Sequence, residues 1–126
     1  MTPLRPRILI VDDDPDTIDR LRQVLEDHYE VISTSDWSAV SRLFYKQPCD
    51  LVLMDVNLPG LSGDQLVSIL KRVPASRDSR ARLVYFTSAD EDRARALTAA
   101  TGADGYILKS ARTATILSQI EGFLDL

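Results

Sequence analysis

Ile8-Leu9-Ile10-Val11-Asp12-Asp13-Asp14-Pro15 sets an aliphatic run directly against three acids and a proline. A run this short, without polar alternation, reads as a strand covered on both faces, as in a parallel sheet. Asp14 before Pro15 reads as a helix N-cap followed by proline at the first helical position, so a helix begins where the strand ends.

The same unit recurs along the chain. Further apolar runs are Tyr29-Glu30-Val31-Ile32, Leu51-Val52-Leu53-Met54, Leu83-Val84-Tyr85-Phe86 and Tyr106-Ile107-Leu108. Between and after them, apolar residues return at helical spacing: Ile18, Leu21 and Leu25; Val40, Leu43 and Phe44; Leu66, Ile69, Leu70 and Val73; Ala94 and Leu97; Ile116, Leu117, Ile120 and Phe123. Ser35-Asp36 offers a cap for the second predicted helix, Pro48 stops it, and Gly102 stands where the fourth should end. Five strand-helix pairs joined by right-handed crossovers make an α/β, doubly wound parallel sheet with helices on both faces.

Composition narrows the function. The 126 residues fit one domain, with a core over about residues 6–124, burying roughly two thirds of its unfolded surface. With 44% hydrophobic and only 6% aromatic residues, aliphatic packing must supply that core. A net charge of -4 argues against direct nucleic-acid binding, which draws its affinity from lysines and arginines neutralising phosphates. The lone Cys49 cannot form an intramolecular disulfide and reads as filler beside the third strand. No apolar run approaches the ~20 residues of a membrane span or the h-region of a signal peptide, so a cytoplasmic location without membrane contact is expected.

In doubly wound sheets the site lies beyond the carboxyl ends of the strands. Those positions hold Asp12-Asp13-Asp14, Asp55, Thr87-Ser88 and Lys109. Carboxylates gathered closely repel one another unless a cation compensates them. All-oxygen ligands favour magnesium, with manganese an acceptable substitute, over zinc. Asp14 is assigned to the helix cap rather than the ion. An aspartate nucleophile forms an acyl phosphate and needs positive charge over the transferring oxygens, which a divalent ion and Lys109 supply. Each residue alone has a plainer reading: Asp12 and Asp13 as solvated turn acids, Asp55 as a loop acid, Thr87 bonded to its own turn, Lys109 as a surface lysine. Their convergence at four strand ends favours the joint reading.

Residues 8–15 (ILIVDDDP), 51–63 (LVLMDVNLPGLSG), 83–88 (LVYFTS) and 102–109 (GADGYILK) together resemble the receiver domains of response regulators, of the chemotaxis-regulator type. The resemblance implies the flavodoxin-like strand order 2-1-3-4-5. It implies Asp55 as acceptor of a phosphoryl group from a histidine kinase or histidine phosphotransfer protein. It further implies Asp13 and Asp55 as direct Mg2+ ligands, Asp12 through water, and the backbone carbonyl of Asn57 as another ligand. Thr87 and Lys109 would hold the phosphoryl group, and Tyr106 would follow Thr87 as a switch, against its plain reading as a half-buried strand aromatic. Partners implied are a downstream protein or output domain and a phosphorylation-dependent homodimer. The output face would join the fourth predicted helix, the fifth strand and the fifth predicted helix.

One departure stands out: Ser110 occupies the place after the lysine where the family usually has proline, often cis. A cis bond before a non-proline residue costs about 3 kcal/mol, so a trans bond is expected, with Ser110 free to cap the last helix. His28, the single histidine, reads as a C-terminal residue of the first helix, so the donor histidine belongs elsewhere. Trp37 opens the second predicted helix and is expected to pack. Among competitors, a haloacid-dehalogenase-like phosphatase requires an acid two residues after the nucleophile, where Asn57 stands. A flavodoxin-like cofactor binder would need a phosphate loop where three aspartates lie. A receiver-shaped module that binds partners without phosphorylation remains open.

Overall fold

The computed structural model describes residues 5–58, 60, 61, 65 and 81–125. Five strands, β1 (Arg7–Val11), β2 (Glu30–Thr34), β3 (Leu51–Met54), β4 (Arg82–Thr87) and β5 (Gly105–Leu108), form one parallel sheet in the order β2-β1-β3-β4-β5. The described helices are α1 (Pro15–Leu25), α2 (Val40–Lys46), α3 (Glu91–Thr101) and α4 (Thr113–Leu124), with a 3-10 turn at Trp37–Ala39. The helix expected around Leu66, Ile69, Leu70 and Val73 lies outside the described residues, as does the side chain of Phe44. No described helix is long and apolar enough to cross a membrane.

The absence of alternation in the central strands has a direct cause. Leu9, Val11, Val52, Met54, Leu83 and Tyr85 pack on one face with Val40, Trp37 and Leu97. Ile8, Ile10, Leu51, Leu53, Val84, Phe86 and Ile107 pack on the other with Leu21 and Leu25 of α1 and Ile116 and Ile120 of α4. Successive strand residues point to opposite faces, so covering both faces demands apolar residues at every position. Cys49 is buried beside this core, and burial pushes its thiol up to about 12, which leaves it protonated and unreactive.

Local signals placed most element ends. Asp14 caps α1, its Oδ1 accepting from the Asp16 N–H at 3.0 Å while its Oδ2 accepts from the Thr17 hydroxyl. Asp36, rather than Ser35, caps the 3-10 turn that leads into α2. Gly102 closes α3 at φ +80°, a left-handed conformation that glycine adopts without penalty. β2 differs from expectation, running two residues further toward its carboxyl end. The Tyr29 N–H is already bonded to Leu25 O at the exit of α1, whereas Val11 needs Thr34 as its register partner.

Two other expectations give way near the chain's end and at α1. Ser110 does not cap the last helix. The Ala111 N–H bonds Leu108 O at 3.0 Å, a turn that takes up Ser110, and Arg112 stands at the cap of α4 without a side-chain bond. The expected trans bond before Ser110 is present, since the described residues contain no cis peptide. His28 lies past the end of α1 in the turn toward β2, with its ring edge-on to Tyr29.

Buried Tyr85 ties the sheet to the last turn of α3 through a 2.6 Å bond to Thr101 Oγ1. The single Thr101 hydroxyl proton goes to Leu97 O, so Tyr85 is the donor. Tyr85→Phe is expected to lower stability by about 1–2 kcal/mol, read from denaturant unfolding, because it leaves a partly buried oxygen without its donor.

Candidate functional site

β1 and β3 end in the same register, Val11 opposite Met54, so the residues that follow them, Asp12 and Asp55, emerge side by side. Backbone bonds fix both: Asp12 N–H to Thr34 O at 3.1 Å and Asp55 N–H to Val11 O at 2.9 Å. Each acid then spends one oxygen on its own turn. Asp12 Oδ1 accepts from the Asp14 N–H at 2.9 Å, and Asp55 Oδ1 from the Asn57 N–H at 3.0 Å. The Oδ2 atoms are left to face the centre of the site. Both acids are buried, at 1% and 6% exposure, while Asp13 is exposed.

Lys109 enters from the end of β5, its N–H bonded to Thr87 O at 2.8 Å. Its ammonium lies 2.8 Å from Asp12 Oδ2 and 3.3 Å from Asp55 Oδ2. Both contacts are ion pairs, and the one to Asp55 is also a hydrogen bond. Burial drives the Lys109 ammonium toward losing its proton, but Asp12 and Asp55 together outweigh it and hold the pKa above the ordinary value. The Phe86 ring lies 5.9 Å from the ammonium and adds a weak cation–π contact.

Carboxylate oxygens of Asp12, Asp13 and Asp55 lie within 4.8 Å of one another. Three carboxylates facing one ammonium leave an excess of negative charge. Hard oxygen donors with this charge fit a divalent cation of the magnesium type.

Thr87 is buried at the end of β4, and its Oγ1 accepts from the Ala89 N–H at 3.0 Å. The plain reading of this residue is therefore realised, but that bond uses a lone pair and not the hydroxyl proton. Tyr106 is half-buried on β5 opposite Tyr85, and its phenol raises the pKa of the neighbouring Arg95 of α3. Arg95 also pairs with Glu91 and Asp92, each at 3.3 Å. Phe86 had no signal in the sequence, since a strand phenylalanine reads as core whichever cation rests on it.

The model of the response regulator receiver domain matches residues 8–121. The chain is 35% identical over 120 residues to the phosphate regulon transcriptional regulatory protein PhoB of Escherichia coli strain K12, covering 94% of this chain and 51% of that protein. It is 33% identical over 119 residues to the regulatory protein VanRB of Enterococcus faecalis, covering 94% and 52%. The chain thus spans about half the length of these curated relatives. Among solved structures, a CheY-like response regulator receiver domain protein from Methanospirillum hungatei JF-1 superposes with a TM-score of 0.81 at 28% identity, covering 98% of this chain and 95% of that one. The match spans the acid-bearing turns and the lysine strand alike, and the chain belongs to the response regulator receiver domain family, the module of two-component signalling that is phosphorylated on an aspartate.

Proposed function

We propose that this chain acts as a single receiver domain, with its core over about residues 6–124, whose Asp55 accepts a phosphoryl group from the phosphohistidine of a histidine kinase or phosphotransfer protein. The observation that carries the reading is the Lys109 ammonium spanning the buried Oδ2 atoms of Asp12 and Asp55. Asp55 Oδ2 forms the new P–O bond as the P–N bond to imidazole breaks and its electron pair stays on the imidazole nitrogen. Lys109 moves onto the phosphoryl oxygens, and Thr87 donates its unused hydroxyl proton to one of them. Asp13, Asp55 and the Asn57 backbone carbonyl, with Asp12 through water, would hold Mg2+, which would supply positive charge to the transferring group.

The domain is regulatory, catalysing only its own phosphorylation and dephosphorylation. It works in the cytoplasm, where a buried, protonated Cys49 is at ease. The signal leaves through the face of α3, β5 and α4, where a groove of about 790 Å³ runs past Arg95, Tyr106, Leu108 and Phe123. Thr87 and Tyr106 are the switch. The face contacts a downstream protein or output domain, or a second phosphorylated copy.

The test is incubation with acetyl phosphate. With Mg2+ the intact mass is expected to rise by one phosphoryl group, and with EDTA to stay unchanged. Amide exchange in the phosphorylated sample should change chiefly in α3, β5 and α4. An unmodified mass with Mg2+ present, or exchange differences confined to α1 and α2, overturns the corresponding half of the reading.

A further inference from the structure

We infer that Arg20 of α1 is a positioning residue for Lys109, clamping the turn that carries the lysine; the inference rests on the proposed role of Lys109 in phosphoryl transfer. That turn is closed by the Ala111 N–H on Leu108 O and anchored by the Lys109 N–H on Thr87 O. These bonds use the N–H groups of Lys109 and Ala111, while the carbonyls of the same two residues accept from α1. Arg20 Nη1 donates to Lys109 O at 3.4 Å and Nη2 to Ala111 O at 3.3 Å. One guanidinium thus straddles Ser110 with both terminal nitrogens, a planar fork that a single ammonium cannot reproduce.

The restraint matters because of what stands between those carbonyls. Ser110 is exposed and imposes no ring on the backbone, so the turn has conformational freedom that its two internal bonds do not remove. A flexible turn would let the ammonium drift from Asp12 and Asp55, which it meets at 2.8 and 3.3 Å. Arg20 lies on the helix that Asp14 caps, one residue beyond Asp13. The clamp therefore ties the lysine turn to the same rigid element that follows the acid pair. Both bonds are long and exposed, so the effect is a loss of alignment rather than of fold.

The experiment measures initial rates of phosphoryl uptake from acetyl phosphate with Mg2+ in the full chain carrying Arg20→Ala or Arg20→Lys, each alone and combined with Lys109→Ala. Arg20→Ala is expected to slow uptake on the order of 5-fold through misalignment of a group close to the reaction. Arg20→Lys, which keeps the charge and loses the fork, should be slowed similarly. In the Lys109→Ala background neither should slow uptake further. A wild-type rate for either single variant overturns the clamp, and so does an equal loss in both backgrounds. Amide exchange of residues 109 and 111 in the unphosphorylated protein gives a readout independent of the chemistry. It should quicken in both Arg20 variants with the melting temperature held, and unchanged exchange refutes the clamp. Failure of the wild-type chain to take up phosphate, with exchange at these residues quickened, would sink the proposed function and leave the clamp standing.

Discussion

Asp55→Asn is expected to bring phosphoryl uptake down to background while leaving the domain folded. The amide keeps the shape of the carboxylate, so the Asn57 N–H retains an acceptor at the position where it now meets Asp55 Oδ1 at 3.0 Å. What the substitution removes is the anionic oxygen proposed to form the bond to phosphorus, for which an amide oxygen is a poor substitute. Stability should hold or rise by up to about 1 kcal/mol, because one of three clustered carboxylates is gone while Lys109 keeps its 2.8 Å contact with Asp12. Intact mass after acetyl phosphate and Mg2+ checks the first expectation, and denaturant unfolding the second. A phosphorylated Asp55→Asn protein would move the acceptor elsewhere, with Asp12 and Asp13 the next carboxylates to examine.

Much of the fold was legible because it is written locally. Leu51–Met54 was bounded to the residue, since a run covered on both faces has no polar member to blur its ends. Asp14 and Gly102 were placed for the same reason: a cap depends on its own neighbours. β2 was less clear because it is an edge strand, its residues half-buried or exposed, and its end was decided by pairing with Val11. The strand order came from family resemblance, since periodicity says nothing of which strands are neighbours. Ser110 misled because a serine before a helix can serve either a cap or the preceding turn, and here the Leu108–Ala111 bond decides for the turn.

The site was legible as a set of residues and not as a geometry. Strand ends announced where Asp12, Asp55, Thr87 and Lys109 would emerge, and the fold brings Asp12, Asp13, Asp55 and Lys109 together. Sequence could not show that both buried acids spend Oδ1 on their own turns and so aim Oδ2 at one ammonium. That division of labour depends on turn geometry. Phe86 and Arg20 were invisible for a different reason: a core aromatic and a helix arginine are common, and only tertiary contact gives either a role.

Lys109→Met should separate the electrostatic role of this lysine from the packing of its stem, which methionine largely reproduces. At neutral pH the variant is expected to lose about 1–3 kcal/mol in the absence of Mg2+. Breaking a buried ion pair typically costs about 3–5 kcal/mol, discounted here because the Lys109 side chain retains 19% exposure. The pH dependence has a definite sign. Burial lowers the Lys109 pKa and Asp12 and Asp55 raise it by more, so its folded value lies above the ordinary 10.5. Its stabilising contribution is therefore fully present below the unfolded pKa near 10.5 and is lost as pH rises through the higher folded value. The gap between wild type and variant should stay constant from neutrality to about pH 9 and narrow above it, as the wild type forfeits what the variant never had. Mg2+ should raise the melting temperature of the variant more than that of the wild type, since it supplies the positive charge the variant lacks. Unfolding free energies at pH 7, 9 and 11, with and without Mg2+, measure all of this. A gap that stays unchanged up to pH 11.5 would mean that Lys109 contributes to the fold through its stem alone.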